Sequence, residues 1–305
     1  MTDTLSRSRN CLSCVVAILV LLTVNVASLQ AQQAAPACPS CAIWNAPQEP
    51  FKVYGNTYYV GTHGLSSILI TSKSGNVLID GGLPESASQI VAHIRALGFR
   101  IEDVKLIVNS HVHFDHAGGI SELQRMSGAR VVASDWSAAV MAKGGVARDD
   151  PQYGVITQIT QVANVSRLRG DETLRVGDIA LTAHLTSGHT PGGTSWTWKA
   201  CEQGRCLEIV YADSVTPVSA PNFKFTAREH SQALKDFEKS FSFFETVPCD
   251  ILVTPHPDAS ELWTRLERRG QNALPDPMID SSACRNLAAA GREQLRKRIA
   301  EEQAR

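Results

Sequence analysis

Short apolar runs alternate along this chain with longer segments in which apolar residues recur every three or four positions. The short runs predict buried β-strands, and the longer segments predict amphipathic helices. The predicted strands span residues 51–60, 65–71, 77–80, 104–108, 129–133, 179–185, 194–199, 207–211 and 251–253. The predicted helices span residues 86–97, 120–126, 136–142, 231–244, 261–269 and 284–302. Strands and helices mixed in this way predict a layered α/β architecture.

The N-terminus has the pattern of a secretory signal. Arg7 and Arg9 precede an apolar run at residues 15–26, which is too short for a membrane span of about 20 residues and matches the apolar region of a signal peptide. We predict a signal peptide at residues 1–31, with cleavage after Ala31 favoured over Ser28; an uncleaved anchor is the alternative. For a bacterial source, the mature chain would be periplasmic or secreted, with no membrane contact.

The remainder of the chain predicts a single domain. It has no Pro/Gly/Ser-rich linker and no internal repeat, so residues 32–305 fit one large unit. The net charge is −1 and no basic stripe is present. We therefore expect no nucleic-acid partner. We expect the mature chain to be a monomer.

Three imidazoles and one carboxylate lie within six consecutive residues directly after the predicted strand 104–108. The segment is His111-Val112-His113-Phe114-Asp115-His116, and two glycines, Gly118 and Gly119, follow it closely. Residues two apart on an extended segment point to the same side, so His111 and His113 can reach one ion. Imidazole nitrogen together with carboxylate oxygen suits zinc. The segment therefore predicts a metal site.

Two further histidines follow predicted strands in the same way. His189 comes after strand 179–185 and His256 after strand 251–253, each in a loop rich in glycine or proline. Ligands in layered α/β proteins cluster at such strand ends. Together with the first segment, these histidines predict two metal sites side by side. Asp80, at the end of strand 77–80, is expected to support the metal-binding residues without binding a metal itself.

With these motifs the sequence resembles the metallo-β-lactamases, and within them subclass B3. The resemblance extends over residues 44–284. It rests on the histidine segment, on the opening segments Trp44-Asn45-Ala46-Pro47 and Gly55-Asn56-Thr57-Tyr58-Tyr59, and on Tyr211-Ala212-Asp213-Ser214, where subclass B1 would carry a cysteine. The implied fold is a four-layer αββα sandwich, with two mixed β-sheets between helices.

The resemblance also implies the site. It implies two Zn²⁺ ions per chain, the first held by His111, His113 and His189 and the second by Asp115, His116 and His256. It implies that Ser214 and Thr216 bind the substrate carboxylate. The implied activity is hydrolysis of penicillins, cephalosporins and carbapenems, which confers antibiotic resistance. Our hypothesis is that a zinc-bound hydroxide attacks the β-lactam carbonyl, with Asp115 as the catalytic residue that orients it. Loops near Ser66 and at residues 149–157 are expected to set the pocket width.

Six cysteines remain after the predicted cleavage, which is typical of an oxidising compartment: Cys38, Cys41, Cys201, Cys206, Cys249 and Cys284. Cys201 and Cys206 flank a predicted hairpin turn and can face one another across it. The resemblance implies that Cys249 bridges to Cys284. Cys38 and Cys41 could form a local disulfide or stay as thiols. We expect none of the six to bind zinc.

Three alternatives stay open at this point. A glyoxalase II-like thioesterase or a lactonase of the same superfamily would use a bridging aspartate, and Asp213 lies in the right region. A redox di-iron protein of this fold would carry a glutamate where this chain has His113. A non-catalytic exported zinc-binding protein would hold metal without turnover.

Overall fold

The structure is a computed structural model that describes residues 38–304. The predicted signal peptide and the predicted domain boundary at residue 32 lie outside the described residues. Within the described part, no helix is long and apolar enough to cross a membrane.

Seven strands form the first sheet, in the order β1-β2-β3-β4-β5-β6-β7. The strands β1 to β4 pair antiparallel, and β4 to β7 pair parallel. Strands β4 and β5 are almost wholly apolar because both faces of this sheet are covered. The strand bounds are β1 Phe51–Tyr54, β2 Thr57–Tyr59, β3 Ile68–Ile70, β4 Asn76–Ile79, β5 Val104–Val108, β6 Arg130–Ala133 and β7 Ser166–Arg167.

Five strands form the second sheet, in the order β12-β11-β10-β9-β8. All neighbours pair antiparallel except β11 and β12, which are parallel. The strands β9, β11 and β12 therefore run in the same direction, and their C-terminal ends lie at the same end of the sheet. The strand bounds are β8 Thr173–Val176, β9 Ile179–Leu185, β10 Thr194–Glu202, β11 Arg205–Tyr211 and β12 Ile251–Val253.

Helices cover the outer face of each sheet. The helices are α1 Cys41–Trp44, α2 Ser86–Ala96, α3 Phe114–Ala117, α4 Ile120–Ser127, α5 Asp135–Lys143, α6 Ser231–Thr246, α7 Leu262–Gly270 and α8 Ala283–Gln303. One apolar cluster fills the space between the two sheets, a second lies between the first sheet and α2, α4 and α5, and a third lies between the second sheet and α6 and α8. The predicted αββα sandwich with two mixed sheets is confirmed.

Residues 51–60 were predicted as one strand, and this was wrong. They form the hairpin of β1 and β2, which turns at Gly55 and Asn56. Gly55 has a φ of 55°, a conformation that glycine adopts without strain. The prediction missed β7, which has two residues, and β8, whose mostly exposed side chains carry little apolar signal.

Three disulfides join the six cysteines. Cys201 pairs with Cys206 across the β10–β11 hairpin, as predicted from the turn. Cys249 pairs with Cys284 and links the start of β12 to α8. The open question at Cys38 and Cys41 is answered by a local disulfide.

Candidate metal centre and active-site cleft

The loop after β5 and the short helix α3 carry the four predicted metal ligands of the histidine segment. His113 is extended, with φ −70° and ψ 152°, and α3 begins directly after it. The rings of His111 and His113 lie 4.6 Å apart between centroids, in agreement with the alternation expected of an extended segment. Asp115 and His116 lie in the short helix α3, which the prediction treated only as a turn.

Asp80 holds this loop in place from β4. Its carboxylate accepts hydrogen bonds from the backbone N–H of Ser110 and from the Ser110 hydroxyl, both at 2.7 Å. The Tyr211 hydroxyl donates to it at 2.7 Å. Asp80 has a φ of 61°, which is rare outside glycine and asparagine. Burial raises the pKa of Asp80. Two of these three hydrogen bonds fix Ser110, the residue that directly precedes His111, and the third fixes the Asp80 carboxylate, consistent with the supporting role expected for Asp80.

Two glycines after α3 allow the backbone to pack closely. A Cβ atom at Gly118 would lie 2.6 Å from the Pro84 ring, and one at Gly119 would lie 2.3 Å from the Gly81 carbonyl oxygen. The glycines are needed for close approach rather than for a positive φ. The histidine loop can therefore lie directly against the loop that follows β4.

The first cluster consists of His111, His113 and His189, and each ring uses one nitrogen for a hydrogen bond. His111 Nδ1 lies 2.7 Å from Asp213 Oδ1, and His113 Nε2 lies 3.0 Å from Asp150 Oδ2. His189 Nδ1 donates to the backbone carbonyl of Thr216 at 2.8 Å.

Acceptors of this kind orient the histidines that bind metals and fix their tautomers. Apart from a 3.5 Å contact between His113 Nδ1 and the Gln152 amide nitrogen, the second nitrogen of each ring is left for another partner among the described residues. His111 Nε2 is buried and has no hydrogen-bond partner among the described residues. An unpaired buried nitrogen is costly unless a ligand satisfies it, so this cluster fits a metal ion.

The second cluster consists of Asp115, His116 and His256. Asp115 Oδ2 lies 3.3 Å from His116 Nε2 and 3.3 Å from His256 Nε2. His256 Nδ1 lies 3.3 Å from the Gly64 carbonyl oxygen, and its ring packs against Trp44 at 5.2 Å. The donor set of two imidazoles and one carboxylate fits the ligands that zinc takes in proteins.

The structure brings together all six residues predicted as ligands. In each cluster, one nitrogen or oxygen atom from every member lies within 4.8 Å of the others. The clusters adjoin, since the rings of His111 and His116 are 4.5 Å apart. Five of the six residues are buried, and His256 is the half-exposed one.

Burial controls the charge of several of these groups. Burial, followed by repulsion from His113, lowers the pKa of His189 to about 3. Burial also holds the pKa of His111 well below its usual value. Burial works to raise the pKa of Asp115, but the imidazoles of His116 and His256 outweigh it and hold that pKa well below its usual range. Near neutral pH, this arrangement has neutral imidazoles at His111 and His189 and a carboxylate at Asp115, as metal binding requires.

Asp213 lies behind His111 rather than between the clusters. Its Oδ1 atom contacts the ring nitrogen of His111 that faces away from the cluster's open side, and its Oδ2 atom is buried without a partner among the described residues. A Cβ atom at Gly193 would lie 2.3 Å from that Oδ2. Asp213 belongs to neither cluster of donor atoms. Its position therefore fits a residue that orients His111.

A cleft of about 310 Å³ opens above the clusters. Ser214 and Thr216 both line it, as do residues of the predicted loop 149–157, including Gln152 and Val155. Ser66 was expected to lie near a loop that shapes the pocket, but it is fully buried and does not line the cleft. Thr216 also has a contact that was not predicted, because its carbonyl accepts the hydrogen bond from His189.

Sequence reasoning missed Asp150 as a partner of His113. The carboxylate accepts from His113 and also from the backbone N–H of Gln152 at 2.8 Å. The Asx turn that this bond closes, Asp150-Pro151-Gln152, is a local signal that could have indicated a loop but not its contact with the site.

Comparison with known proteins identifies the family. The model of the metallo-β-lactamase superfamily matches residues 60–202. The solved structure of the Rm3 metallo-β-lactamase is 54% identical, covers 88% of this chain and 100% of its own, and superimposes with a TM-score of 0.85. MEM-A1, a subclass B3 metallo-β-lactamase from a soil metagenome library, is 50% identical, covers 86% of this chain and 99% of its own, and has a TM-score of 0.83. The chain belongs to the subclass B3 metallo-β-lactamases. It is thus a hydrolase of the metallo-β-lactamase superfamily with a metal-binding centre.

This B3 metallo-β-lactamase is also similar to curated lactonases, over a shorter stretch. The N-acyl homoserine lactonase AttM of Agrobacterium fabrum is 30% identical over 158 residues, which is 42% of this chain and 57% of the lactonase. The chain thus spans little more than half the length of that relative. The similarity is consistent with a shared superfamily fold and metal-binding region.

Proposed function

We propose that this protein is a zinc-dependent hydrolase that opens the β-lactam ring of penicillins, cephalosporins and carbapenems and so confers resistance to them. One observation carries the proposal: six donor atoms converge in two adjoining clusters at the base of a cleft. The likeness to B3 β-lactamases over 86–88% of the chain supports this reading over other hydrolases of the fold.

We propose that each cluster holds one zinc ion. His111, His113 and His189 would hold the first, and Asp115, His116 and His256 the second. The first cluster offers three imidazole nitrogens, a set that leaves a coordination position open, as catalytic zinc sites require. The hydrogen bonds of the first cluster to Asp213, Asp150 and Thr216 support this assignment, because they leave the second nitrogen of each ring available.

Zinc at these clusters would lower the pKa of a bound water to about 7 and stabilise negative charge on the substrate. Asp115 would be the catalytic residue of the chain itself. Its carboxylate is held ionised between two imidazoles, so it can accept a hydrogen bond from the attacking water and orient it. Holding a nucleophile in the right geometry lowers the activation free energy by about 7–11 kcal/mol in well-oriented systems.

Ser214 and Thr216 would bind the carboxylate that β-lactams carry beside the ring. Both residues line the cleft, and Thr216 contacts His189 through its backbone carbonyl. Hydroxyl groups donate to a carboxylate without requiring a buried charge, and such bonds to an ionised group are stronger than neutral ones. The substrate would thereby be oriented with its ring toward the two clusters.

We also propose that the enzyme is exported to the periplasm or secreted. Three disulfides in the described residues support an oxidising compartment. The monomeric state and the signal cleavage site stay predictions.

A lactonase activity is the second candidate, favoured by the similarity to AttM. The position of Asp213 argues against it as the main activity. A bridging aspartate would have to reach both clusters, whereas Asp213 contacts the outer nitrogen of His111. A zinc-binding protein without turnover is a weaker candidate, because the cleft above the clusters is open to substrate.

The proposal is tested by removing the metal and then the carboxylate. We expect a chelator to abolish hydrolysis of a penicillin, a cephalosporin and a carbapenem, and zinc to restore it. Asp115→Asn should lower kcat/KM at saturating zinc by at least about 100-fold, the low end of general acid–base contributions. Asp135→Asn is the matched control, since its side chain is 75% exposed. Wild-type rates in the Asp115 variant, or full activity after metal removal, would contradict the proposal.

A further inference from the structure

The disulfide-closed turn Cys38–Cys41 lies at the mouth of the cleft. Cys38, Pro39 and Ser40 line the same cleft as the six clustered residues. The turn therefore lies beside the space that a substrate must enter, although it contributes no donor atom to either cluster. None of its residues is fully buried.

The turn is anchored to the body of the protein only from Trp44 onward. The Trp44 carbonyl accepts from the Thr62 hydroxyl at 2.6 Å and from the Gly64 N–H at 3.0 Å, and the Asn45 carbonyl accepts from Gln89. Among the described residues, residues 38–43 have hydrogen bonds only within the segment 38–46. The disulfide therefore restrains the internal conformation of the turn, while Trp44 and Asn45 attach the turn to the body of the protein.

An apolar wall faces the cleft from the other loops. Val155, Ile156 and Val218 line the cleft, and Val155 and Val218 are 46% and 48% exposed. Exposed apolar side chains at a cleft mark a surface that binds an apolar group. A substrate whose reacting carbonyl lies at the clusters would extend its ring substituent toward this mouth.

We propose that the turn Cys38–Cys41 is a specificity-determining wall of the cleft, which its disulfide holds in position to bind the acylamino substituent of β-lactams. This inference rests on the proposed β-lactam hydrolysis. A turn held in one conformation loses little freedom when substrate binds, whereas a loosened turn must be ordered at the expense of affinity. The turn contacts the substituent and not the reacting ring, so it affects KM far more than kcat.

The test is the double variant Cys38→Ser/Cys41→Ser, assayed with two penicillins that share the same ring. Benzylpenicillin carries a phenylacetyl group on the amino nitrogen attached to C6 of the β-lactam ring, and 6-aminopenicillanic acid has the free amino group at the same carbon. We expect KM for benzylpenicillin to rise about two- to tenfold, the range for ordering one or two groups. KM for 6-aminopenicillanic acid and both kcat values should stay within about twofold of wild type.

The matched control is Cys201→Ser/Cys206→Ser. This pair closes a similarly short loop, at the end of β10 that lies about 20 Å or more from the site. Its KM values should equal those of wild type. Equal KM increases for both penicillins, or no increase for either, would overturn the proposal.

A second pair of variants covers the case in which the first one does not fold. Ser40→Trp places a large side chain in the lining and should raise KM for benzylpenicillin more than for 6-aminopenicillanic acid. Ala42→Trp is its control, because Ala42 directly follows the turn, is exposed and does not line the cleft. Identical KM values for the two tryptophan variants would overturn the proposal. An inactive wild-type enzyme would instead refute the proposed function.

Discussion

Asp213→Ala removes the carboxylate that orients His111. The two side chains meet at 2.7 Å and are 0% and 1% exposed, so the loss leaves a buried ring N–H without an acceptor. Removing such a partner of a metal-binding histidine typically costs 10- to 100-fold in metal affinity. This corresponds to about 1.4–2.7 kcal/mol. Asp213→Asn keeps an oxygen that can accept the hydrogen bond, so we expect its loss to stay near or below about tenfold.

Zinc titration of the metal-free protein, in competition with a chromogenic chelator, measures both variants. We expect the affinity of the site that contains His111 to fall about 10- to 100-fold in Asp213→Ala. The affinity of the Asp115 site should change less than about threefold, because Asp213 contacts none of its donor atoms. Asp178→Ala is the control for a general loss of negative charge, since Asp178 is exposed.

Two results would refute this reasoning. Wild-type affinity at both sites in Asp213→Ala would show that the hydrogen bond does not orient His111 for metal binding. An equal loss at both sites would identify Asp213 as a ligand shared by two ions, as in the thioesterase and lactonase alternatives. Circular dichroism of the metal-free variant checks that the fold is intact.

Three further predictions concern stability and substrate binding. Glu302 is buried and accepts hydrogen bonds from the Phe225 and Thr226 N–H groups. Burial alone would raise the pKa of Glu302, but these hydrogen bonds and the one from Arg298 outweigh burial, so the pKa is lowered. A lowered folded-state pKa stabilises the fold above the unfolded pKa, so Glu302→Gln should lose about 1–3 kcal/mol in urea unfolding at pH 7. The difference should shrink as the pH falls below the unfolded pKa of about 4.3 and vanish below the lowered pKa of the folded state; a constant difference at all pH values would contradict this. Loss of the Cys249–Cys284 disulfide, whose sequence separation is 35, should cost about 3–4 kcal/mol, against about 2 for Cys201–Cys206, whose sequence separation is 5. The reverse order in thermal unfolding would contradict the chain-entropy account. Ser214→Ala should raise KM for penicillins about two- to tenfold at nearly constant kcat, as expected for one lost hydrogen bond, and an unchanged KM would exclude Ser214 from substrate binding.

The clustered ligands were accessible from the sequence because each one follows a buried strand directly. His111, His189 and His256 come after β5, β9 and β12, whose apolar runs are plain in the sequence. Strands β9 and β12 run in the same direction within the second sheet, so their C-terminal ends lie at one end of it. That β5 of the first sheet ends beside them follows only from the packing of the two sheets. The spacing of the histidine segment then assigns side chains to the same side of an extended loop.

The partners of the ligands could not be predicted, because only the tertiary fold sets their distances. Asp150 lies in an irregular loop 37 residues after His113, and no local pattern links the two. The turn at Cys38 is likewise distant in sequence from all six residues of the two clusters. The β1–β2 hairpin could have been predicted from the sequence, since Gly55-Asn56 is a turn signal. It was missed because the two residues lie inside the segment 51–60, which was predicted as one continuous strand.

The measurement that tests the central claim most directly is a comparison of substrates on one zinc-loaded sample of the mature protein. It compares kcat/KM for a cephalosporin, an N-acyl homoserine lactone and a glutathione thioester, each with and without chelator. We predict that the cephalosporin is hydrolysed at least about 100-fold more efficiently than the other two, with all turnover lost on chelation. Lactone or thioester hydrolysis at the higher rate, with an inert cephalosporin, would contradict the assignment of this cleft to β-lactams.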